Sequence, residues 1–336
     1  MYLSERLGLS ARGLGFRRGA GRWVRRICQQ ATDRLPNHRP KATLLRSVDG
    51  SSCGGDILCL FSSFDRNSEV PNYVDAYIRE LKSQGCDTCF VSTSPDLPSS
   101  VIERLEPSCY RTIHRRNRGL DFASWKLGAD LIGSMKGYRG VLLANDSMLG
   151  PLRSLEWEFE QIRRPDAVVI GMTDSNEYAR HLQSYFIYLP MTIFQSPPFQ
   201  AFWNRIAVLA DKGRIIRDYE VGLSRHLASH GVMLRALYPF DELLTRARSK
   251  GSAFEFHQRL QSGLQINPTL HYWEILVREM DFPFVKRGNF TASAICMERS
   301  DRFIAELSDR YGERGSQVAG YLRNLWNYYP RGAAGE

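Results

Sequence analysis

The amino-acid sequence predicts an α/β protein, a mostly parallel sheet flanked by helices with a helical C-terminal part. Two observations carry this. Short apolar runs alternate with helix-periodic segments over more than 100 residues from Asp56 onward, and Gly or Pro stands at many of the joints. In order, DILCLFSSF (56–64) reads as a strand, PNYVDAYIRELKSQG (71–85) as a helix ending in Gly, and DTCFVST (87–93) as a second strand. A helix near 98–105, a strand at 109–114, a helix at 121–135, a strand at 140–145, a helix at 152–163 and a strand at 167–172 continue the alternation. Beyond that, SYFIYLPMTIF supplies a strand and a helix start, FQAFWNRIAVLADK is amphipathic, and RDYEVGLSRHLASHG is a helix ending at Gly231. A polar segment at 246–264 precedes NPTLHYWEILVREMDFPFVKRGNF, read as a helix, a Phe-Pro-Phe turn and a basic corner. One or two helices follow from 298.

The 336 residues divide by composition into a basic, flexible leader (1–50), an α/β domain (51–290) and a C-terminal helical extension (291–336). The net charge of +9 is concentrated in the leader, where eleven Lys or Arg face three Asp or Glu. Its Arg residues interleave with Leu14, Phe16, Trp23, Val24 and Ile27, a pattern suited to an anionic membrane surface; its glycines suit a disordered tail equally well. Nucleic acid is the weakest partner class, because the rest of the chain is nearly neutral and carries no nucleic-acid motif. With no apolar run of about 18 residues and no secretory leader, the expected location is the cytoplasm, with peripheral contact at the inner face of the plasma membrane. Seven irregularly placed cysteines fit reducing conditions, and the single Cys86-x-x-Cys89 reads as buried thiols.

Parallel sheets bind ligands outside the carboxyl ends of their strands. Three strand ends here are polar: RNRGLDFASW carries Asn117, Gly119, Asp121 and Trp125; GVLLANDS carries Asn145, Asp146 and Ser147; and AVVIGMTDS carries Asp174 and Ser175, followed by His181, Gln183 and Tyr185 in HLQSYF. Turn and capping chemistry accounts for each separately, Asp121 for instance as a helix N-cap. Their convergence on one edge points to a shared polar site in which the carboxylate of Asp146 faces the cleft.

The ordered set N-x-G-x-D-x-x-S-W, N-D-S-x-x-G-P, G-x-T-D-S and H-L-Q-S-Y-F, continued by YEVGLS (219–224) and NPTLHYWEILVREMDFPFVKR (267–287), resembles the rhamnan synthesis F family of bacterial polysaccharide biosynthesis proteins. The resemblance implies a GT-A-like fold. It further implies a glycosyltransferase moving a sugar, with rhamnose suggested by the family name, from a sugar nucleotide to a lipid-linked or polymeric glycan such as lipopolysaccharide O-antigen. On that reading Asn145-Asp146-Ser147 is a reduced acidic motif in which Asp146 would ligate Mg²⁺ or Mn²⁺. Lys286 and Arg287 are the alternative counter-charge for the diphosphate. Asp174 and then Glu220 are candidates for the base that deprotonates the acceptor, and His181 for the acceptor side. A non-catalytic glycan-binding or assembly protein of the same pathway is the competing reading, motivated by the single carboxylate.

Overall fold

The computed structural model describes residues 38–51, 54–249, 266–290 and 294–328. Its strands are β1 (Leu44–Asp49), β2 (Ile57–Ser63), β3 (Cys86–Ser92), β4 (Arg111–Arg115), β5 (Gly140–Asn145), β6 (Met148–Leu149), β7 (Val168–Ser175), β8 (His181–Leu182), β9 (Phe186–Pro190), β10 (Met233–Tyr238) and β11 (Val285–Lys286). The main helices are α1 (Asn72–Ser83), α2 (Ser99–Leu105), α3 (Leu120–Ile132), α4 (Glu156–Ile162), α5 (Pro197–Trp203), α6 (Val221–Ser229), α7 (Phe240–Ser249), α8 (Trp273–Glu279) and α9 (Ala294–Tyr328).

Nine strands form one sheet in the order β1-β4-β3-β2-β5-β9-β7-β10, with β8 on β7. β4, β3, β2 and β5 are mutually parallel, and β10 is parallel to β7. Because β9 is antiparallel to both β5 and β7, the latter two share one direction. The chain runs outward from β2 through β3 to β4 and then returns to β5 on the other side of β2. That reversal makes the β2/β5 junction a topological switch, where a crevice opens outside the carboxyl ends.

Burial explains why these runs became strands. β2, β3 and β5 are buried at every position, as strands covered on both faces should be. On α1, Tyr73, Val74, Tyr77, Ile78 and Leu81 are buried while Arg79 and Lys82 face solvent, the helical stripe that PNYVDAYIRELKSQG predicts. Two apolar clusters form, one on each side of the sheet. Cys59, Cys86, Cys89 and Cys109 are buried.

Several boundaries differ from the sequence reading. Residues 44–49, assigned to the leader, form edge strand β1 against β4, and a short 3-10 turn (Pro40–Thr43) precedes it. The remainder of the leader that could meet a membrane, residues 1–37, lies outside the described residues, as do 250–264 of the polar segment. α3 stops at Ile132 because Gly133 turns to φ 74°, and β7 runs on to Ser175. In FQAFWNRIAVLADK the helix ends at Trp203, and Ile206 to Leu209 are buried without regular structure. β10 was read as part of no element.

The C-terminal extension is packed onto the α/β unit. α9 consists of two helical segments meeting at Gly312 (φ 57°, ψ −133°). The second segment lies on α1: the Tyr73 and Tyr321 rings are 4.7 Å apart, and Arg314 Nη2 donates to Glu80 Oε2 at 2.6 Å. Among the described residues no helix is long and apolar enough to cross a membrane.

Candidate functional site at the β2/β5 switch

The register of β2 and β5 sets Ser62 opposite Asn145, so the residues after both strands meet. Asp146 Oδ2 accepts from the Ser63 hydroxyl (2.8 Å) and the Phe64 N–H (2.9 Å). Tyr73 donates to the Asp146 carbonyl at 3.1 Å. Asp146 is 6% exposed, and burial, opposed by Arg287, raises its pKa. The carboxylate expected to face the cleft therefore lies behind the cleft wall, because both polar partners of Oδ2 come from the β2 end.

A two-stranded ribbon brings the basic corner to this point. β11 pairs with β6 so that Lys286 lies opposite Met148, and the Arg287 N–H donates to the Ser147 carbonyl at 3.1 Å. Gly150 (φ 140°) permits the approach, since a Cβ there would stand 2.6 Å from the Pro283 carbonyl oxygen. Burial opposes the Arg287 charge, but Asp146, Tyr73 and Tyr321 more than offset it, so the guanidinium is held firmly protonated. Burial lowers the pKa of Lys286, against the pull of Glu220 and Glu177.

Asn145 links the β5 end to α3. Its Nδ2 donates to Asp121 Oδ2 (2.8 Å), and its Oδ1 accepts from the Ser147 hydroxyl (2.8 Å) and N–H (3.1 Å). Burial raises the Asp121 pKa to about 6, with hydrogen bonds from Ser62 and Asn145 lowering it and the charges of Asp146 and Glu220 adding to it. Asp121 is not the N-cap of α3; Gly119 is, at φ 82°. A Cβ on Gly119 would meet Val208 Cα at 3.0 Å, so this glycine is a packing requirement rather than a ligand contact. Its loop is held by buried Arg115, whose Nε donates to Thr43 (2.9 Å), Nη1 to Ser124 (2.7 Å) and Nη2 to the Arg118 carbonyl. Asn117 is exposed on that loop.

Glu220 closes a π-helical turn (Ile216–Glu220) that leads into α6, an irregularity that recurs at functional sites. Its Oε1 accepts from the Ser184 N–H at 3.0 Å and lies 3.9 Å from His181 Nε2. His181 is 4% exposed, and its Nδ1 is 2.8 Å from the Ala179 carbonyl. The Nδ1–H tautomer donates there and leaves Nε2 facing Glu220.

Other sequence candidates are turned inward. Trp125 is fully buried against Phe122, and its Nε1 donates to the Ala144 carbonyl at 2.9 Å, so it is core and not a sugar platform. Asp174 accepts from Arg180 Nε (2.9 Å) and from the Phe240 N–H (2.7 Å), and it serves as an anchor for the start of α7. Both of its oxygens are engaged away from the switch, which removes the first-choice base. Ser175 is buried against the Ile266 carbonyl. Gln183 and Tyr185 are buried with Thr173 between them, each 2.7 Å from its hydroxyl.

A cleft of about 1350 Å³ opens over the switch. The loop after β2, including Phe64, Asp65 and Arg66, forms one wall; Ser147, Lys286 and Arg287 form a corner; and Gln317, Tyr321 and Asn324 of α9 close the far side. The β2 loop was legible by the same rule that selected the other polar strand ends, since SSFDRNSE follows an apolar strand. The α9 wall had no sequence signal. Among the described residues, Ser68 (φ 62°), Leu120 (49°) and Tyr178 (63°) hold positive φ in segments after the carboxyl ends of β2, β4 and β7.

A divalent cation at Asp146 does not fit this donor set well. Oδ2 is already engaged twice, the positive charge of Arg287 already acts on the carboxylate, and among the described residues no three His, Cys, Asp or Glu converge as ligands.

Fold and site together define an α/β protein with a ligand cleft at a sheet switch. The profile of rhamnan synthesis protein F matches residues 89–310, and the chain belongs to that family. The uncharacterized protein y4gN of Sinorhizobium fredii (strain NBRC 101917 / NGR234) is 26% identical over 172 residues, 50% of this chain and 45% of its own length. Virulence protein VirA of Vibrio anguillarum is 23% identical over 244 residues, 68% and 78% of the two chains. This chain thus spans less than half the length of the first relative and about four-fifths of the second. Among solved structures, the mannosyltransferase PcManGT from Pyrobaculum calidifontis, in complex with GDP-Man and Mn²⁺, covers 92% of this chain and 97% of its own at 11% identity and a TM-score of 0.33. A putative nucleotide-diphospho-sugar transferase from Desulfovibrio desulfuricans G20 covers 59% and 89% at 14% identity and 0.30. Scores this low carry no weight for the site.

Proposed function

We propose that the protein is a sugar-nucleotide-dependent glycosyltransferase of the GT-A type, adding a sugar to a growing cell-surface polysaccharide or lipopolysaccharide O-antigen. Family membership supports the pathway. The observation that carries the reading is the cation-bearing cleft at the β2/β5 switch, where Ser147, Lys286 and Arg287 form one corner. Rhamnose is the first donor sugar to test, on the strength of the family name. Action at the cytoplasmic face of the membrane, where lipid-linked acceptors grow, belongs to the same proposal.

In the reaction an acceptor hydroxyl forms a bond to the donor's anomeric carbon, and the bond from that carbon to the diphosphate oxygen breaks with its electron pair leaving on the nucleoside diphosphate. Lys286 and Arg287 offset the charge on the departing group. Glu220 takes the acceptor proton: its Oε1 is oriented by the Ser184 N–H, and its side chain keeps 19% exposure. His181 lies behind it, with Nε2 3.9 Å from Glu220 Oε1. The competing role, a non-catalytic assembly protein, draws on the inward position of Asp146.

Calorimetric titration with a panel of sugar nucleotides, dTDP-rhamnose included, tests the reading. Saturable binding of at least one donor is expected, weakened by Lys286→Gln. A folded protein that binds no donor contradicts it.

A further inference from the structure

We infer that Arg287 and Lys286, which line the cleft corner in front of buried Asp146, hold the donor's diphosphate without a divalent cation. The inference rests on the sugar-nucleotide reading above and specifies the chemistry of its phosphate subsite.

The order of layers is the first support. A ligand entering the cleft meets Ser147, Lys286 and Arg287, which line it, whereas Asp146 does not line it and is 6% exposed. A carboxylate that ligates a metal bridging to phosphate must reach the ligand side of the cation. Here the positive charge of Arg287 and the Ser63 and Phe64 donors act on Asp146 instead. The second support is anchoring. The β6/β11 ribbon and the Arg287 N–H to Ser147 carbonyl bond fix the backbone of both cations, so their side chains face the cleft from a rigid corner. The third is charge. Lys286, Arg287, Arg66 and Arg104 all line the cleft, while Asp146, Glu220 and Glu177 act on the two corner cations from outside that lining. The acidic members of the lining, Asp65, Glu69 and Glu313, belong to the loop and helix walls. A diphosphate is an anion suited to this cationic corner, and a guanidinium with planar paired donors suits its oxygens.

The experiment is calorimetric binding of UDP, dTDP and GDP to the full chain in EDTA and again in Mg²⁺ or Mn²⁺. Arg287→Gln leaves Asp146 buried without its partner, so the double variant Arg287→Gln/Asp146→Asn, which removes both charges at near-constant shape, is measured beside it and its folding checked by circular dichroism. The expected result is that at least one nucleotide binds equally well in EDTA and in metal. The double variant and Lys286→Gln should each lose about tenfold or more in affinity, the size of a charge-assisted hydrogen bond to phosphate. Binding that appears only with metal overturns the inference and leaves the glycosyltransferase reading standing. Binding in EDTA that survives both variants overturns the assignment of the cations. Absence of binding in every condition overturns the inference together with the reading it rests on.

Discussion

Replacing Trp125 with Phe separates a structural role from a sugar-binding one. The indole is fully buried, donates from Nε1 to the Ala144 carbonyl at 2.9 Å, and packs edge-on against Phe122 at 5.0 Å. Ala144 immediately precedes Asn145, so the bond ties α3 to the end of β5 beside the site. Phe removes this donor to a buried carbonyl of the central strand, a net loss of about 1 kcal/mol. The smaller ring adds a cavity worth roughly 1 kcal/mol. The total of about 2 kcal/mol corresponds to a fall in Tm of roughly 3 °C for a chain of this size. Differential scanning calorimetry reads the shift, and nucleotide titration well below the new Tm reads the site. The expected outcome is a measurable loss of stability with nucleotide affinity nearly unchanged. A normal Tm combined with lost affinity for sugar nucleotides would refute the core assignment.

Glu220→Gln keeps an acceptor for the Ser184 N–H but removes the base, so donor affinity should persist while transfer falls about 10²- to 10⁴-fold; loss of donor binding with transfer intact per bound donor would exclude that role. The Asp121 pKa, raised by burial to about 6, makes a linkage prediction. A raised carboxyl favours the protonated fold, so its contribution is full below the unfolded value and is lost as pH rises through about 6. Asp121→Asn should therefore gain on wild type by on the order of 2 kcal/mol between about pH 4 and about pH 7 in urea denaturation; parallel pH profiles for the two proteins contradict it. Arg314→Ala removes the partner of Glu80, whose side chain is 4% exposed, although Leu155 N–H still bonds that carboxylate. With Arg314 partly solvated, a loss of about 1–2 kcal/mol is expected. The same variant should weaken nucleotide binding by loosening α9, and unchanged stability would show that α9 is not held by this pair.

The central strands were legible because they are buried on both faces and so appear as unbroken apolar runs between Gly, Pro and helical segments. β1 and β10 were missed for the opposite reason. They are the two edges of the sheet, their exposed positions include Arg46 and Met233, and no continuous apolar run marks them. The strand-end rule selected the Asn145-Asp146-Ser147 turn and Asp121, which Asn145 Nδ2 joins, whereas Arg287 was named only through the family resemblance. The rule did not reveal which way each polar side chain turns, because the deciding partners come from distant chain. Asp174 meets Arg180 and the Phe240 N–H, Ser175 meets Ile266, and Asp146 meets Ser63, 83 positions away. The α9 wall was hidden likewise: Tyr321 reaches the cleft only through its packing on Tyr73.

The most direct test of the account is transfer itself: purified protein incubated with isotopically labelled dTDP-rhamnose and other sugar nucleotides together with a membrane fraction carrying lipid-linked glycan. Wild type should move label from one donor into the glycan and release the nucleoside diphosphate, and Glu220→Gln should bind that donor without moving label. Folded wild-type protein that binds a sugar nucleotide yet transfers nothing from any donor, while glycan assembly in cells depends on it and tolerates Glu220→Gln, would contradict the catalytic claim and leave an assembly role in its place.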